Sequence, residues 1–242
     1  MFREELEKAA FLYGMPLDAD QIDKFSIYYD LLMEWNRKMN LTAITKPKEV
    51  ALKHIIDSLT ALRGMEQVDS FSLIDVGTGA GFPGIPLKIL CPGMRLLLLD
   101  SLKKRVHFLE TVVKALDLKY VECLHGRAEE ASRDKKLREC FDVAVSRAVA
   151  RLSVLSEYLL PFVRIGGRAI ALKGMRYAEE VQEAKYAVRI LGGAKIEEIP
   201  VTLPSLSDKR AVLVMKKVRE TPRTYPRKAG MPTKFPLVQV DY

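Results

Sequence analysis

Apolar residues change their spacing near residue 65. Before that point they recur every three or four positions. Ile22, Phe25, Tyr29, Leu32 and Met39 fall on one face of a helix predicted over 21–39, with Asp18 or Asp20 as its cap. A second helix is predicted from Thr45 and Pro47, with the proline in its first turn, to Gly64. Beyond it, short apolar runs alternate with helical patterns. Strands are expected at 72–76, 94–99, 120–124, 141–145 and 167–172, and helices at 84–90, 102–116, 151–160 and 177–191. The run at 94–99 is almost wholly apolar, as in a strand covered on both faces. Two further strands, 195–201 and 210–217, are separated by a connection too short for a crossover helix and should pair antiparallel. Seven strands alternating with helices predict an α/β doubly wound sheet, mostly parallel with the last strand antiparallel. Its ligand belongs at the carboxyl ends of the first strands. The chain thus divides into a helical extension (1–64), a sheet domain (65–217) and a proline-rich basic tail (218–242) expected to be extended or loosely packed.

Composition narrows the class of partner. Lys plus Arg number 39 against 31 for Asp plus Glu, a net charge of +8. That excess favours a polyanion, since basic surface attracts phosphates at long range, although it also fits a merely basic protein. Three cysteines, Cys91, Cys123 and Cys140, form no C-x-x-C pair, which argues against a disulfide framework and against a zinc site. They read as reduced, buried thiols, with Cys140 in the core. The charged start Arg3-Glu4-Glu5 does not suit a signal peptide, and no apolar run reaches membrane-spanning length. A cytoplasmic protein with no membrane partner is expected.

The chemistry concentrates where the first strand ends. Asp75-Val76-Gly77-Thr78-Gly79-Ala80-Gly81-Phe82 places glycine at every second position after an acid. Glycine has no Cβ and tolerates positive φ, so a ligand can approach bare backbone there. A dinucleotide fingerprint needs glycine at its sixth position, where this chain has Phe82. The pattern instead resembles the first motif of S-adenosylmethionine-dependent methyltransferases. Asp100 stands 23 positions after Gly77, at the end of the second strand. An acid there accepts from ribose hydroxyls, the alternative being a solvated strand end. His125-Gly126-Arg127-Ala128-Glu129 follows the third strand, where an adenine would lie, and is equally readable as a turn with a surface charge. Ser146-Arg147-Ala148 follows the fourth strand and faces the methyl donor. It lacks the Asn/Asp-Pro-Pro-Tyr/Phe loop of many amine-directed methyltransferases and any cysteine nucleophile. Arg147 is a candidate for positioning; otherwise it pairs with Asp142 or Glu157. His54 and Asp57, three apart on a helix, suggest an orienting hydrogen bond rather than a metal site. Trp35, Asn36, Asn40 and Thr42 form another polar group, or a plain helix-ending turn. Lys216, Lys217, Arg219, Arg223, Arg227, Lys228 and Lys234, with Tyr225 among them, suit a phosphate backbone and an unstacked base, or else a solvated tail.

Taken together these residues resemble the glucose-inhibited division protein B (RsmG) family, bacterial 16S ribosomal RNA guanine-N7 methyltransferases. The resemblance runs from Trp35-Asn36 and Asn40-Leu41-Thr42 through His54-Ile55-Ile56-Asp57-Ser58 and Gly81-Phe82-Pro83-Gly84-Ile85-Pro86. It continues through Asp100-Ser101-Leu102-Lys103, Gly126-Arg127-Ala128-Glu129 and Ser146-Arg147-Ala148 to the tail Tyr225-Pro226-Arg227-Lys228-Ala229-Gly230. It implies a Rossmann-like class I methyltransferase fold, S-adenosylmethionine as cofactor, and Gly77, Phe82, Ala128, Glu129 and Arg147 lining its site beside Asp75, Gly79, Gly81 and Asp100. The implied target is a guanine near the decoding centre of 16S rRNA, in the small ribosomal subunit or its assembly precursor, and a monomer is expected. Guanine N7 carries a lone pair and no proton, so no general base is named; Arg147 would hold the base or the methionine carboxylate. The competing readings are a Rossmann oxidoreductase, disfavoured by Phe82, and a non-catalytic RNA-binding module on the same fold.

Overall fold

The computed structural model describes residues 1–66 and 70–239; residues 67–69 and the last three of the tail lie outside the described residues. Seven strands form one sheet: β1 (Ser72–Val76), β2 (Arg95–Asp100), β3 (Val121–His125), β4 (Phe141–Arg147), β5 (Val163–Lys173), β6 (Glu197–Val201) and β7 (Arg210–Lys216). Their order is β3-β2-β1-β4-β5-β7-β6, with β7 antiparallel to both of its neighbours and the remaining pairs parallel. The order reverses at β1, so the crevice beyond the carboxyl ends of β1 and β4 is the expected ligand position.

Strand periodicity sorts the core into two layers. On one face Leu73, Leu98, Val145 and Val214 pack with Phe2, Leu6, Phe25, Leu32, Ile55 and Leu59 of the N-terminal helices. On the other, Ile74, Val76, Ala144 and Leu213 pack with Leu152, Leu155, Val181 and Val188 from helices Leu152–Leu159 and Tyr177–Ile190. The helices of residues 1–64 therefore share one core with the sheet.

Helix α1 spans Phe2–Leu12 and α2 spans Ala19–Met39. The start of α2 is a reciprocal cap: the Asp18 carboxylate accepts from Gln21 N at 2.8 Å, and the Gln21 amide oxygen accepts from Asp18 N at 3.0 Å. Its buried stripe is Ile22, Phe25, Tyr28 and Leu32. Tyr28 thus takes the inward place expected of Tyr29, because a step of three from Phe25 fits this helix face as well as a step of four. The run at 47–64 is helical throughout but not uniform. Pro47–Val50 is α, Ala51–Ile56 is π, Asp57–Leu59 is α and Thr60–Gly64 is 3-10. A π segment adds a residue to the turn and shifts the side chains that follow, a device common at functional sites.

Two expectations are corrected. Cys140 is exposed, because it precedes β4 in a surface loop. The tail is not loosely packed. Lys217 is fully buried, donates to Leu160 O at 2.7 Å and pairs with Glu139 at 2.9 Å. Arg138 donates to Thr221 O at 2.7 Å and Tyr225 O at 3.0 Å, and Arg227 forks onto the buried carboxylate of Glu157. Proline and charge density suggested solvation, but these cations are spent on internal carbonyls and carboxylates.

Candidate active site

The glycine turn is fixed by its neighbours. Gly77 N and Thr78 N both donate to Leu99 O, at 2.8 and 3.1 Å, which ties the turn to β2. Gly77, Gly79 and Gly81 have φ of +68°, +62° and +98°. A Cβ on Gly77 would lie 2.7 Å from Val149 Cγ2, and one on Gly81 would lie 2.4 Å from Ile85 Cδ1. Gly79 meets nothing, so its requirement is conformational alone. The Tyr28 hydroxyl donates to Ala80 O and pins the turn from beneath.

Asp75 is wholly buried and holds both ends of this turn. Its Oδ2 accepts from Thr78 Oγ1 at 2.6 Å and from Gly84 N at 2.8 Å, whereas Oδ1 has no partner among the described residues. Burial raises its pKa to about 7, against the opposing pull of the Thr78 and Gly84 bonds. Asp100, 2% exposed, accepts from Leu102 N on Oδ1 and Gly79 N on Oδ2, both at 2.9 Å, with Arg105 at 3.6 Å. A carboxylate offers about four acceptor positions, so capacity remains for a ligand.

Two neighbouring cavities open around these residues. The smaller, about 150 Å³, is bounded by Asp100, Arg127, Ala128, Glu129 and Tyr158. The larger, about 410 Å³, is bounded by Thr42, His54, Phe82, Arg147 and Ala148. Gly77, Asp100, Ser101 and Val149 line both. The residues expected after strands β1, β2, β3 and β4 therefore converge on one crevice. Asp75 and Gly81 stand behind it, shaping the turn rather than lining the cavities.

The larger cavity is walled by an aromatic and cationic group that strand reasoning alone did not assemble. The His54 ring stacks on Phe82, centroids 4.6 Å apart and planes 24° apart, and the Arg147 guanidinium carbon lies 5.0 Å from the Phe82 centroid. Arg147 donates to Lys53 O at 2.8 Å, to Asp57 Oδ2 at 3.0 Å and to His54 Nδ1 at 3.1 Å. Asp57 Oδ1 in turn accepts from Arg210 at 3.0 Å. Nδ1 faces both Lys53 O, at 3.2 Å, and the Arg147 guanidinium, which can only donate; with Nδ1 accepting from Arg147, the His54 proton is assigned to Nε2, which donates to Thr42 Oγ1 at 2.7 Å. Burial, then the Arg147 charge, lowers the His54 pKa to about 3, so the ring is neutral at physiological pH. Arg147 pairs with Asp57, not with Asp142 or Glu157, which are taken by Arg164 and Arg227. His54 and Asp57 are joined through Arg147. Asn36 Oδ1 accepts from Thr42 N at 2.8 Å, so the capping turn after α2 also delivers the histidine's partner. Ala148 has φ +56°, a left-handed conformation uncommon for a residue with a side chain.

Some expected participants serve elsewhere. His125 lies 3.1 Å from Ser101 O in the turn after β3, and Trp35 packs against His107 and Phe108. No group of three or more potential metal-ligating side chains occurs among the described residues. Tyr28, Val149, Tyr158 and Arg210 fall outside every motif read from the sequence. Only Tyr28 had a sequence signal, its place on the α2 stripe.

The GidB family model, described as rRNA small subunit methyltransferase G, matches residues 21–211. "Ribosomal RNA small subunit methyltransferase G" of Acetivibrio thermocellus is 52% identical over 236 residues, covering 97% of this chain and 96% of that protein. The protein of the same name from Lachnoclostridium phytofermentans is 49% identical over 226 residues, 93% of each chain. A S-adenosylmethionine-dependent O-methyltransferase from Thermotoga maritima superposes with a TM-score of 0.52 at 16% identity, over 80% of this chain and 72% of its own. A predicted O-methyltransferase from Agrobacterium tumefaciens gives 0.54 at 14%, over 68% and 84%. These two likenesses concern the fold.

Proposed function

The chain belongs to the GidB family, rRNA small subunit methyltransferase G, and on that footing we propose that it methylates N7 of a guanine in 16S ribosomal RNA near the decoding centre. S-adenosylmethionine supplies a methyl group bound to a sulfonium sulfur. The observation that carries this reading is the glycine turn, whose Gly77 lines two neighbouring cavities with different chemistry.

The residues present fit that cofactor. Three positive-φ glycines leave the backbone bare, and a side chain on Gly77 would close the space against Val149. Asp100 keeps acceptor positions free for ribose hydroxyls, while Ala128 and Glu129 border the nucleoside end. The Oδ1 of Asp75, without a partner among the described residues, is a buried acceptor behind the turn that becomes negatively charged, and so favours a cation, above about pH 7. Asp75, Gly77, Gly79, Gly81, Phe82, Asp100, Ala128, Glu129 and Arg147 are the proposed cofactor-binding set.

The larger cavity suits the base. Phe82, His54 and Arg147 offer flat faces and directed N–H donors, which a purine ring with carbonyl and imine acceptors can meet. His54 has both nitrogens occupied and a pKa near 3, so it orients Arg147 rather than removing a proton. An acceptor nitrogen with a lone pair and no proton asks for nothing more. The work left to the protein is alignment, which supplies roughly 7–11 kcal/mol in favourable cases. The substrate is proposed to be the small subunit or its assembly precursor, met in the cytoplasm by a monomer. Transfer of tritiated methyl to small-subunit particles and to naked rRNA, with nucleoside analysis, tests the reading. 7-Methylguanosine is expected. Another methylated nucleoside overturns the N7 assignment, and cofactor binding without transfer to either substrate would favour a non-catalytic RNA-binding module.

A further inference from the structure

The C-terminal segment turns back onto the smaller cavity and bonds to two of the residues that line it. Gly230 N donates to Glu129 Oε1 at 2.9 Å. Thr233 Oγ1 lies 3.0 Å from the Tyr158 hydroxyl. Glu129 and Tyr158 both border that cavity. One residue before Tyr158, the fully buried Glu157 accepts from Arg227 N at 2.7 Å and from its guanidinium at 2.6 and 3.0 Å. Further back, Arg133 and Arg138 donate to the carbonyls of Pro226 and Tyr225, and Pro226 and Pro232 are buried. The segment is thus anchored just before the contact to Glu129 and, through Pro232, between the contacts to Glu129 and Tyr158.

The local helices make this support necessary. Glu129 sits on Ala128–Ala131, a four-residue helix, and so short a helix has little stability of its own. Glu129 is 5% exposed, and the tail amide is the partner that fixes one of its oxygens. Without it, the carboxylate is free to change rotamer where the ligand must meet it.

We infer that residues 227–233 are positioning elements of the cofactor site, in which the Gly230 amide and the Thr233 hydroxyl hold Glu129 and Tyr158 in place for the nucleoside end of the methyl donor. The inference rests on the reading of the smaller cavity as the nucleoside lobe. It assigns the tail a role in cofactor affinity, separate from contact with RNA. Coupling of this kind is reciprocal: if the tail orders the lobe, a ligand in the lobe orders the tail.

The test uses the full chain and S-adenosylhomocysteine as the ligand. Thr233→Val, which keeps shape and removes the hydroxyl, is expected to raise Kd roughly 3- to 10-fold, the range of one hydrogen bond. Thr233→Ser restores it. Gly230→Ala has space for its Cβ but must hold φ +82°, so it loosens the amide contact and weakens binding in the same direction. KM for the donor should rise more than kcat falls. Hydrogen exchange of the wild-type peptide over 227–234 should slow when S-adenosylhomocysteine binds, a readout that stands even if a variant folds poorly. Normal affinity in both variants, with tail exchange indifferent to ligand and binding lost in Gly77→Ala, overturns the positioning role and leaves the cofactor site standing. Normal affinity in Gly77→Ala removes the cofactor reading of the turn, and the inference with it.

Discussion

Replacing Asp75 by asparagine gives the sharpest test of how the glycine turn is held. The carboxyl is completely buried, its pKa is raised from 3.8 to about 7, and desolvation is the main cause. Between those values the native protein binds a proton that the unfolded chain does not. Stability from this group is therefore fully present below about pH 4 and is lost as pH rises through 7. At about 1.4 kcal/mol per pH unit, a rise of about three units corresponds to roughly 4 kcal/mol as an upper figure. Asparagine keeps an oxygen for the Thr78 hydroxyl and the Gly84 amide and does not titrate. Every other group is shared by the two proteins, so their difference in unfolding free energy isolates Asp75. Urea unfolding without ligand at pH 5, 6.5 and 8 should show the variant gaining on the wild type by about 3 kcal/mol between pH 5 and 8, with unchanged m-values. The variant should also bind S-adenosylmethionine more weakly above pH 7, where the wild-type carboxyl carries a negative charge behind the turn. A stability difference that does not vary with pH would mean that Asp75 ionises like a solvated acid, and the argument from its burial would fail.

Four further outcomes follow from the site and the tail. His54 titrates in the opposite sense: its pKa is depressed from 6.5 to about 3, so its contribution is present above 6.5 and is lost as pH falls towards 3. His54→Gln should therefore flatten the acid limb of the stability profile in thermal melts at pH 4 to 7, while a steeper limb would contradict the neutral ring. Arg147→Lys should slow single-turnover methyl transfer at least tenfold, because an ammonium cannot serve Lys53 O, Asp57 and His54 together. In the wild type that rate should show no tenfold-per-unit rise between pH 6 and 8, and such a rise would point to a general base. Replacing the exposed Arg223, Lys228 and Lys234 by alanine should lower the log–log salt slope of rRNA binding by about 2, at about 0.7 per phosphate contact, without altering the melt. An unaltered slope would place the phosphate contacts elsewhere.

Most of the sheet was legible because strand and helix periods differ and because each strand is bounded by turn residues. β1 and the antiparallel β6–β7 pair were read directly from apolar runs and connection length. The cofactor loop was legible for a related reason: glycines with positive φ leave a mark in sequence that backbone geometry demands. What could not be read was long-range partnership. Nothing local tells Arg147 that its carboxylate is Asp57, 90 residues earlier, rather than Asp142 in its own strand. The π segment Ala51–Ile56 has no composition of its own, yet Lys53 and His54 lie within it and Asp57 follows it directly. The tail misled because its charges look solvated, while Glu139 and Glu157, which pair with Lys217 and Arg227, are written far from it.

The core shared by the N-terminal helices and the sheet imposes an order in time. Asp57 bonds to Arg210, Arg63 donates to Pro200 O at 2.8 Å, and Gly64 packs so closely on Val214 that a Cβ there would lie 2.7 Å from it. During synthesis the helices emerge first, their apolar stripe facing water, and the strands that cover them emerge near the end. Domains generally fold as units, and these helices share their core with strands made later, so their final packing waits for those strands. Residues 1–64 are then the stretch most in need of shelter while the chain grows. The first helices to be translated are among the last to find their place.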